Sequence, residues 1–262
     1  MTTPRLRVLG FCGADDSVHP EHLALLSQRY PWIEWGVLFR PDLEGQGRYA
    51  SEAWVESLSR VNGEYGGIMK LAAHLCAARC QEVLEGDASF VRNLRCLGFR
   101  RIQINATAAN KVNVVAVKWD IYAGNILSCL AAVPEVDFIF QLNDETRGIW
   151  NAILAAASPS LPKNLNILFD ASCGLGILAT EYPAPLTAGP INIPCGYAGG
   201  AGPNNISEVL TAVGKAAGED LVWVDMESSL RLSVSDKANP QPRDVFSLDK
   251  CFECILKARH LF

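Results

Sequence analysis

The chain has no run of lysines and arginines, no interleaving of basic with aromatic residues, and no stretch near the roughly 20 apolar residues of a membrane span. The first two absences, with a net charge of only −5, remove the field that draws a protein to nucleic acid. The third excludes a membrane-spanning helix, and the opening MTTPRLRVLG lacks the longer apolar core of a signal peptide. Neither nucleic acid nor membrane is an expected partner, and the cytoplasm is the expected location. The nine cysteines are odd in number and scattered through apolar segments, which argues against a secreted disulfide framework and for a reducing compartment. A Gly-rich dinucleotide fingerprint is also missing: FCGADDSVHP follows the first apolar run without GxGxxG.

What is present is a series of short apolar, β-branched runs separated by amphipathic segments, as in parallel strands buried on both faces and joined by helices. Eight runs are Arg5 to Phe11, Ile33 to Phe39, Gly67 to Leu75, Arg101 to Asn105, Val136 to Leu142, Leu165 to Asp170, Pro190 to Cys195 and Leu221 to Met226. Helical patterns lie in PEHLALLSQRY, SEAWVESLSRV, the stretch Arg79 to Leu97, WDIYAGNILSCLAAV and NISEVLTAVGKAA. The gap from Leu178 to Pro190 holds three prolines and predicts an irregular connection or a short helix. Eight βα units without a dinucleotide fingerprint favour a closed (β/α)₈ TIM barrel over an open sheet. The 262 residues, taken as a single domain over 1–262, suffice for one such core.

In a barrel the ends of the strands converge on one face, so the polar residues expected there are candidates for chemistry: Cys12, Glu34, Arg48, His74, Gln103, Asn105, Gln141, Asp170 and Asp225. Each has a structural alternative. Cys12 is a nucleophile or general base if a helix N-terminus or a cation lowers its pKa, and otherwise an inert buried thiol. Asp170 is a general acid in a pocket, or a helix N-cap. His74 shares a strand face with Lys70 and Ala72 and is a ligand-facing group or a satisfied core histidine. The segment GYAGGAGPNNI offers flexible amides before a helix start, an anion site or only a turn. Cys251 and Cys254 have zinc-like spacing but no second pair to complete four ligands, so they are read as core and no metal is expected.

Several of these segments, in chain order, resemble the phosphoribosylanthranilate isomerase family. They are VLGFCG, WGVLFRPDLEGQGRYAS, RIQIN, LFDASCGLGI, AGGAGPNNI, VDMESSLR and the ending DVFSLDKCFECILKA, and the likeness spans nearly the whole chain. The resemblance implies a TIM barrel that catalyses a cofactor-free Amadori rearrangement of a phosphorylated sugar amine, as monomer or homodimer. It places the general base at Cys12, the general acid at Asp170, and a substrate-carboxylate ligand at Arg48. His74, Gln103 and Asn105 are expected to contact substrate; His74 has no counterpart in the family. Gly174, Gly176, Gly199, Gly200, Ser228 and Ser229 are expected to hold the phosphate. The chain departs from the family pattern at Asn105 (a histidine there), Cys173 (glycine), Leu175 (threonine), Glu227 (serine), Ser229 (glycine) and Arg231 (glutamate). Extra residues stand at Ala106 to Trp119 and Ser235 to Arg243. Glu227 would repel a phosphate, and a side chain at Ser229 would obstruct backbone approach. Two alternatives follow: a diverged barrel acting on another sugar phosphate or small carbonyl compound, and a silent metabolite-binding barrel. The isomerase reading predicts that Cys12 alkylates first among the nine thiols.

Overall fold

Parallel strands form one sheet that closes on itself in the computed structural model, which describes residues 4–158, 160–188, 191–235 and 242–262. The barrel strands are β1 (Arg5–Cys12), β2 (Ile33–Phe39), β3 (Lys70–Leu75), β4 (Arg101–Ile104), β5 (Asp137–Leu142), β6 (Leu165–Phe169), β7 (Cys195–Tyr197) and β8 (Leu221–Met226). Each pairs in parallel with its sequence neighbours, and β8 closes the ring on β1 from Arg5↔Leu221 to Phe11↔Met226. This is the (β/α)₈ barrel expected from the alternation of apolar runs. Helices α1 (Pro20–Arg29), α2 (Glu52–Glu64), α3 (Ala77–Leu84), α4 (Ser89–Cys96), α5 (Trp119–Ala132), α6 (Arg147–Ala156), α7 (Ile206–Ala217) and α8 (Leu248–Ala258) accompany it. Among the described residues no helix is long and apolar enough to cross a membrane.

Strand alternation separates two layers of apolar packing. Leu9, Phe11, Ile33, Trp35, Phe138 and Phe140 pack with the helices in the main core, whereas Val8, Ile139, Leu168 and Trp223 form a small cluster of their own. That cluster fills the inside. Contacts between strands that are not neighbours have to cross the interior, and several do. Arg101 on β4 bonds Glu34 on β2 at 2.6 Å and lies 4.3 Å from the Trp223 ring on β8. The barrel is therefore plugged from its N-terminal end by this ion pair and by aliphatic side chains, which leaves only the C-terminal end for a ligand.

Four expectations shift. Glu34 is the second residue of β2, so it lies at the base with Arg101 and not at the strand end. β3 begins at Lys70, because Gly66 and Gly67 take φ of 72° and 74° as the chain leaves α2. The stretch Arg79 to Leu97 is two helices, broken at Gly86 and restarted where Asp87 accepts from the Ser89 amide at 2.8 Å. The seventh run starts at Pro190, outside the described residues, and its Ile191–Asn192 pairs antiparallel with Thr187–Ala188; the barrel strand starts only at Cys195, past Pro194. No helix forms between Leu178 and Leu186, in keeping with the prolines there, while α6 adds a helix that the segments above do not include. Of the extra stretch Ser235 to Arg243, residues 236–241 lie outside the described residues. Its neighbours Arg231–Val234 and Arg243–Phe246 form a two-stranded ladder beside the mouth.

Candidate functional site

Ten of the residues expected to act converge on one cleft at the C-terminal mouth: His74, Gln103, Asn105, Asp170, Gly174, Gly176, Gly199, Gly200, Ser228 and Ser229. Asp225, Glu227, Gln141, Asn110 and Ser172 line it too. Cys12 lies behind His74 and is fully buried, and Arg48 stands at the rim. The cleft holds about 60 Å³, room for two waters. A sugar-sized ligand needs several hundred Å³, so the loops over the mouth must part to admit one. They are closed by glycine contacts: the Leu178 backbone lies directly on Gly200, and the Ser228 hydroxyl lies against Gly176.

Cys12, the last residue of β1, has its sulfur 3.3 Å from Nδ1 of His74 on β3. The other ring nitrogen of His74 is 3.8 Å from Oδ2 of Asp225 on β8. Gly36 on β2 makes room for this approach, since a Cβ there would stand 2.9 Å from both Cys12 Cα and His74 Nε2. Burial sets the charges of all three. It pushes the Cys12 thiol well above its ordinary range, with Glu227, Asp225 and Cys76 adding and Arg48 opposing. It lowers His74 to about 3, helped by the Arg101 charge. It raises Asp225 to about 8, with Glu34 and Glu227 adding and Arg101 opposing. At neutral pH the group therefore rests as thiol, neutral imidazole and carboxylic acid. Cys12 is thus not the accessible thiolate that the sequence suggested; Cys96 is the exposed thiol.

Asp170 follows β6 and receives four hydrogen bonds. Gln141 Nε2 donates at 2.6 Å and the Gly174 amide at 2.9 Å to one oxygen, while the Ser172 hydroxyl at 2.6 Å and amide at 3.1 Å donate to the other. No helix starts here, so the helix-cap alternative becomes a loop cap: the carboxylate shapes residues 171–176 while facing the cleft. Gln103 donates to Asn105 at 2.7 Å, and Asn105 lies 3.7 Å from the Cys76 sulfur, so the residue standing where the family has histidine is tied into a neutral polar chain.

The anion end differs from its expectation. Arg48 is paired with Glu227 at 2.7 Å and approaches Asp244 at 3.5 Å, so two carboxylates of the chain already hold the guanidinium expected to bind a substrate carboxylate. The Ser229 hydroxyl donates to the Ala201 carbonyl, and its side chain rests on Gly202, where glycine at 229 would leave a hollow. Arg231 is buried beneath the loops, bonded to Asp15 at 2.6 Å, to the Gly13 carbonyl at 2.6 Å and to Asp244 at 3.0 Å. It braces the loop after β1 and does not reach the cleft.

No family model matches the chain, and no curated protein matches it. Solved structures do match. A chain of the tryptophan synthase a2b2 complex from Pyrococcus furiosus is 12% identical with a TM-score of 0.46, covering 88% of this chain and 90% of that one. A mutant tryptophan synthase alpha-subunit from the same organism is 13% identical with the same score and coverage. A family 18 chitinase from Crocus vernus is 9% identical with a TM-score of 0.38, covering 97% and 88%. Likeness this distant carries no argument, and the barrel stands on its own strand register.

Sequence reasoning missed Asn110 and Ser172. Ser172 had a local signal, because a serine two residues after an aspartate commonly closes a turn onto it. Asn110 had none, since it reaches the mouth through the extra segment after β4. A cavity of about 610 Å³ lies outside the barrel, lined by parts of α2, α3 and α4. Its arginines are already paired, Arg79 with Glu82 and Arg40 with Asp42, and it gathers none of the strand-end residues. Cys251 and Cys254 are fully buried in the core on α8, and no group of three or more His, Cys, Asp or Glu placed to hold a metal occurs among the described residues.

Proposed function

We propose that this barrel is an acid–base isomerase of the phosphoribosylanthranilate isomerase type, moving a proton between adjacent carbons of a sugar-derived amine or carbonyl compound. The observation that carries it is that Cys12 and Asp170, distant in sequence, end or follow strands at one mouth, with a chain of neutral amides and His74 between them. In the reaction, Asp170 takes a proton from solvent, gives it to the sugar ring oxygen and so opens the ring to an imine. Cys12 as thiolate removes the C2 proton, and the enamine so formed tautomerises to the ketone. Gln141, held on the Asp170 carboxylate, fixes the acid's orientation, and Gln103 and Asn105 are donors for sugar hydroxyls.

A second reading has its own support. Glu227 on Arg48 and the Ser229 side chain on Gly202 both disfavour phosphoribosylated anthranilate, and they favour a sugar or carbonyl compound without that anion pair. Turnover of phosphoribosylated anthranilate, followed as loss of its fluorescence, tests the first reading. No turnover together with thermal stabilisation by simple sugars or sugar phosphates would select the second. No stabilisation by any of these would leave a silent barrel and refute both.

A further inference from the structure

A thiol, an imidazole and a carboxyl in line across the barrel interior are more than the proposed reaction has used. The contacts run from β1 to β3 to β8, none of them adjacent except through closure, so three strands contribute one group each. Glycines clear the space for them: Gly36 beneath Cys12 and His74, and Gly10, whose Cβ would collide with the Asp225 carboxyl.

We propose that Cys12, His74 and Asp225 form one proton-transfer unit, in which His74 Nδ1 takes the thiol proton to make the thiolate and Asp225 holds the resulting imidazolium. His74 and Asp225 are then positioning residues acting through Cys12. This rests on the reading of Cys12 as the base. The thiol donates to Nδ1, which requires the ring proton on Nε2, the nitrogen that faces Asp225. Moving the S–H proton to Nδ1 breaks one bond and makes one, and leaves a thiolate beside an imidazolium with no change in total charge. The thiolate then has a free pair for a substrate C–H proton, and after that transfer His74 returns its extra proton to solvent or product.

At 3.8 Å, Nε2 and Oδ2 sit beyond hydrogen-bond length, so Asp225 helps fully only as a carboxylate. Burial first, then Glu34 and Glu227, hold its ionisation near pH 8 against Arg101. The charged and titratable groups around the unit are Glu34 on β2 and Arg101 on β4 from below, Glu227 and Arg48 from the rim, and Cys76 beside β3. Thiolate access should therefore rise as Asp225 ionises.

Hydrogen peroxide is small enough for the cleft and is attacked only by the thiolate, which takes one oxygen and releases hydroxide, so Cys12 sulfenic acid formation, read by peptide mass spectrometry between about pH 6 and about pH 10, reports the unit without any substrate. The intact protein should show an inflection near pH 8 and react at Cys12 at least about tenfold faster than His74→Gln. Asp225→Asn, which keeps the thiol–imidazole contact, should lose the inflection. Equal or faster oxidation in His74→Gln, or an inflection that persists in Asp225→Asn, overturns the proposal. Should either variant fail to fold by circular dichroism, the unmodified protein decides: a Cys12 rate that climbs about tenfold per pH unit with no inflection is that of an unassisted buried thiol and refutes it. Oxidation behaviour as expected with no isomerase turnover would leave the unit standing and remove the isomerase reading. Turnover with unassisted oxidation would do the reverse.

Discussion

Replacing Arg231 by Met removes a charge from beneath the mouth while keeping most of the side-chain volume, and the structure sets the size of the effect. Among the described residues the guanidinium makes four hydrogen bonds, to Asp15, to the Gly13 carbonyl, and to the side chain and carbonyl of Asp244. The Asp244 carboxyl is well exposed, so its share falls in the range of about 0–1 kcal/mol for surface pairs. The Asp15 side chain is 1% exposed, and stranding a buried partner costs about 3–5 kcal/mol. Ser17 still donates to Asp15 through its amide at 2.8 Å and its hydroxyl at 2.5 Å, which places the loss at the low end, about 3 kcal/mol. For a chain of this length that is a fall in Tm of about 6–12 °C, read by calorimetry and by urea unfolding. The double variant Arg231→Met, Asp15→Asn should recover at least half of it, because the unpaired charge is gone. A single-variant Tm within about 2 °C of the unmodified protein refutes the reasoning. A double variant no better than the single would assign the cost to packing.

The two buried groups with opposed shifts give a pH signature. His74 is neutral in the fold and protonated when unfolded between about pH 3 and its ordinary 6.5, so its effect makes stability rise with pH there. Asp225 is protonated in the fold and ionised when unfolded between its ordinary 3.8 and about pH 8, so its effect makes stability fall with pH there. Each slope is at most about 1.4 kcal/mol per pH unit, and they offset each other where they overlap. Urea unfolding of Asp225→Asn should lose the decline above pH 6.5, and its persistence would count against the assigned burial. Gly36→Ala drives a methyl against Cys12 Cα and His74 Nε2, both at 2.9 Å, and should cost about 1–3 kcal/mol by denaturant titration. Ser229→Gly opens the hollow at Gly202, and Glu227→Ser leaves Arg48 with Asp244 alone, at 3.5 Å; together they should tighten inorganic phosphate about tenfold by calorimetric titration, and unchanged affinity would argue against an anion site there. Cys96, the exposed thiol, should react with bulky maleimides well before Cys12, and the reverse order would mean that the mouth opens more readily than the closed cleft implies.

Much of the barrel was legible because each strand is short, apolar and repeated, and burial on both faces leaves a pattern that local composition reports. Where local chemistry competes, the pattern misleads. PINIPC has a strand's composition, yet its Ile191–Asn192 pair antiparallel with Thr187–Ala188 while Cys195 opens the barrel strand. Glu34 reads as a strand-end acid from its neighbours, yet its height in the barrel follows from strand register, which no short window contains.

The sequence alone determined which residues can do chemistry and which of them share a strand face, because side-chain type and strand period are local properties. Only the tertiary structure decided which of them meet. Barrel closure brings β8 beside β1 and sets Asp225 across from His74, and burial there reverses the charges that the same side chains would carry in water. Whether Arg48 faces a ligand or Glu227 is settled the same way, by two loops far apart in the chain that packing brings within 2.7 Å.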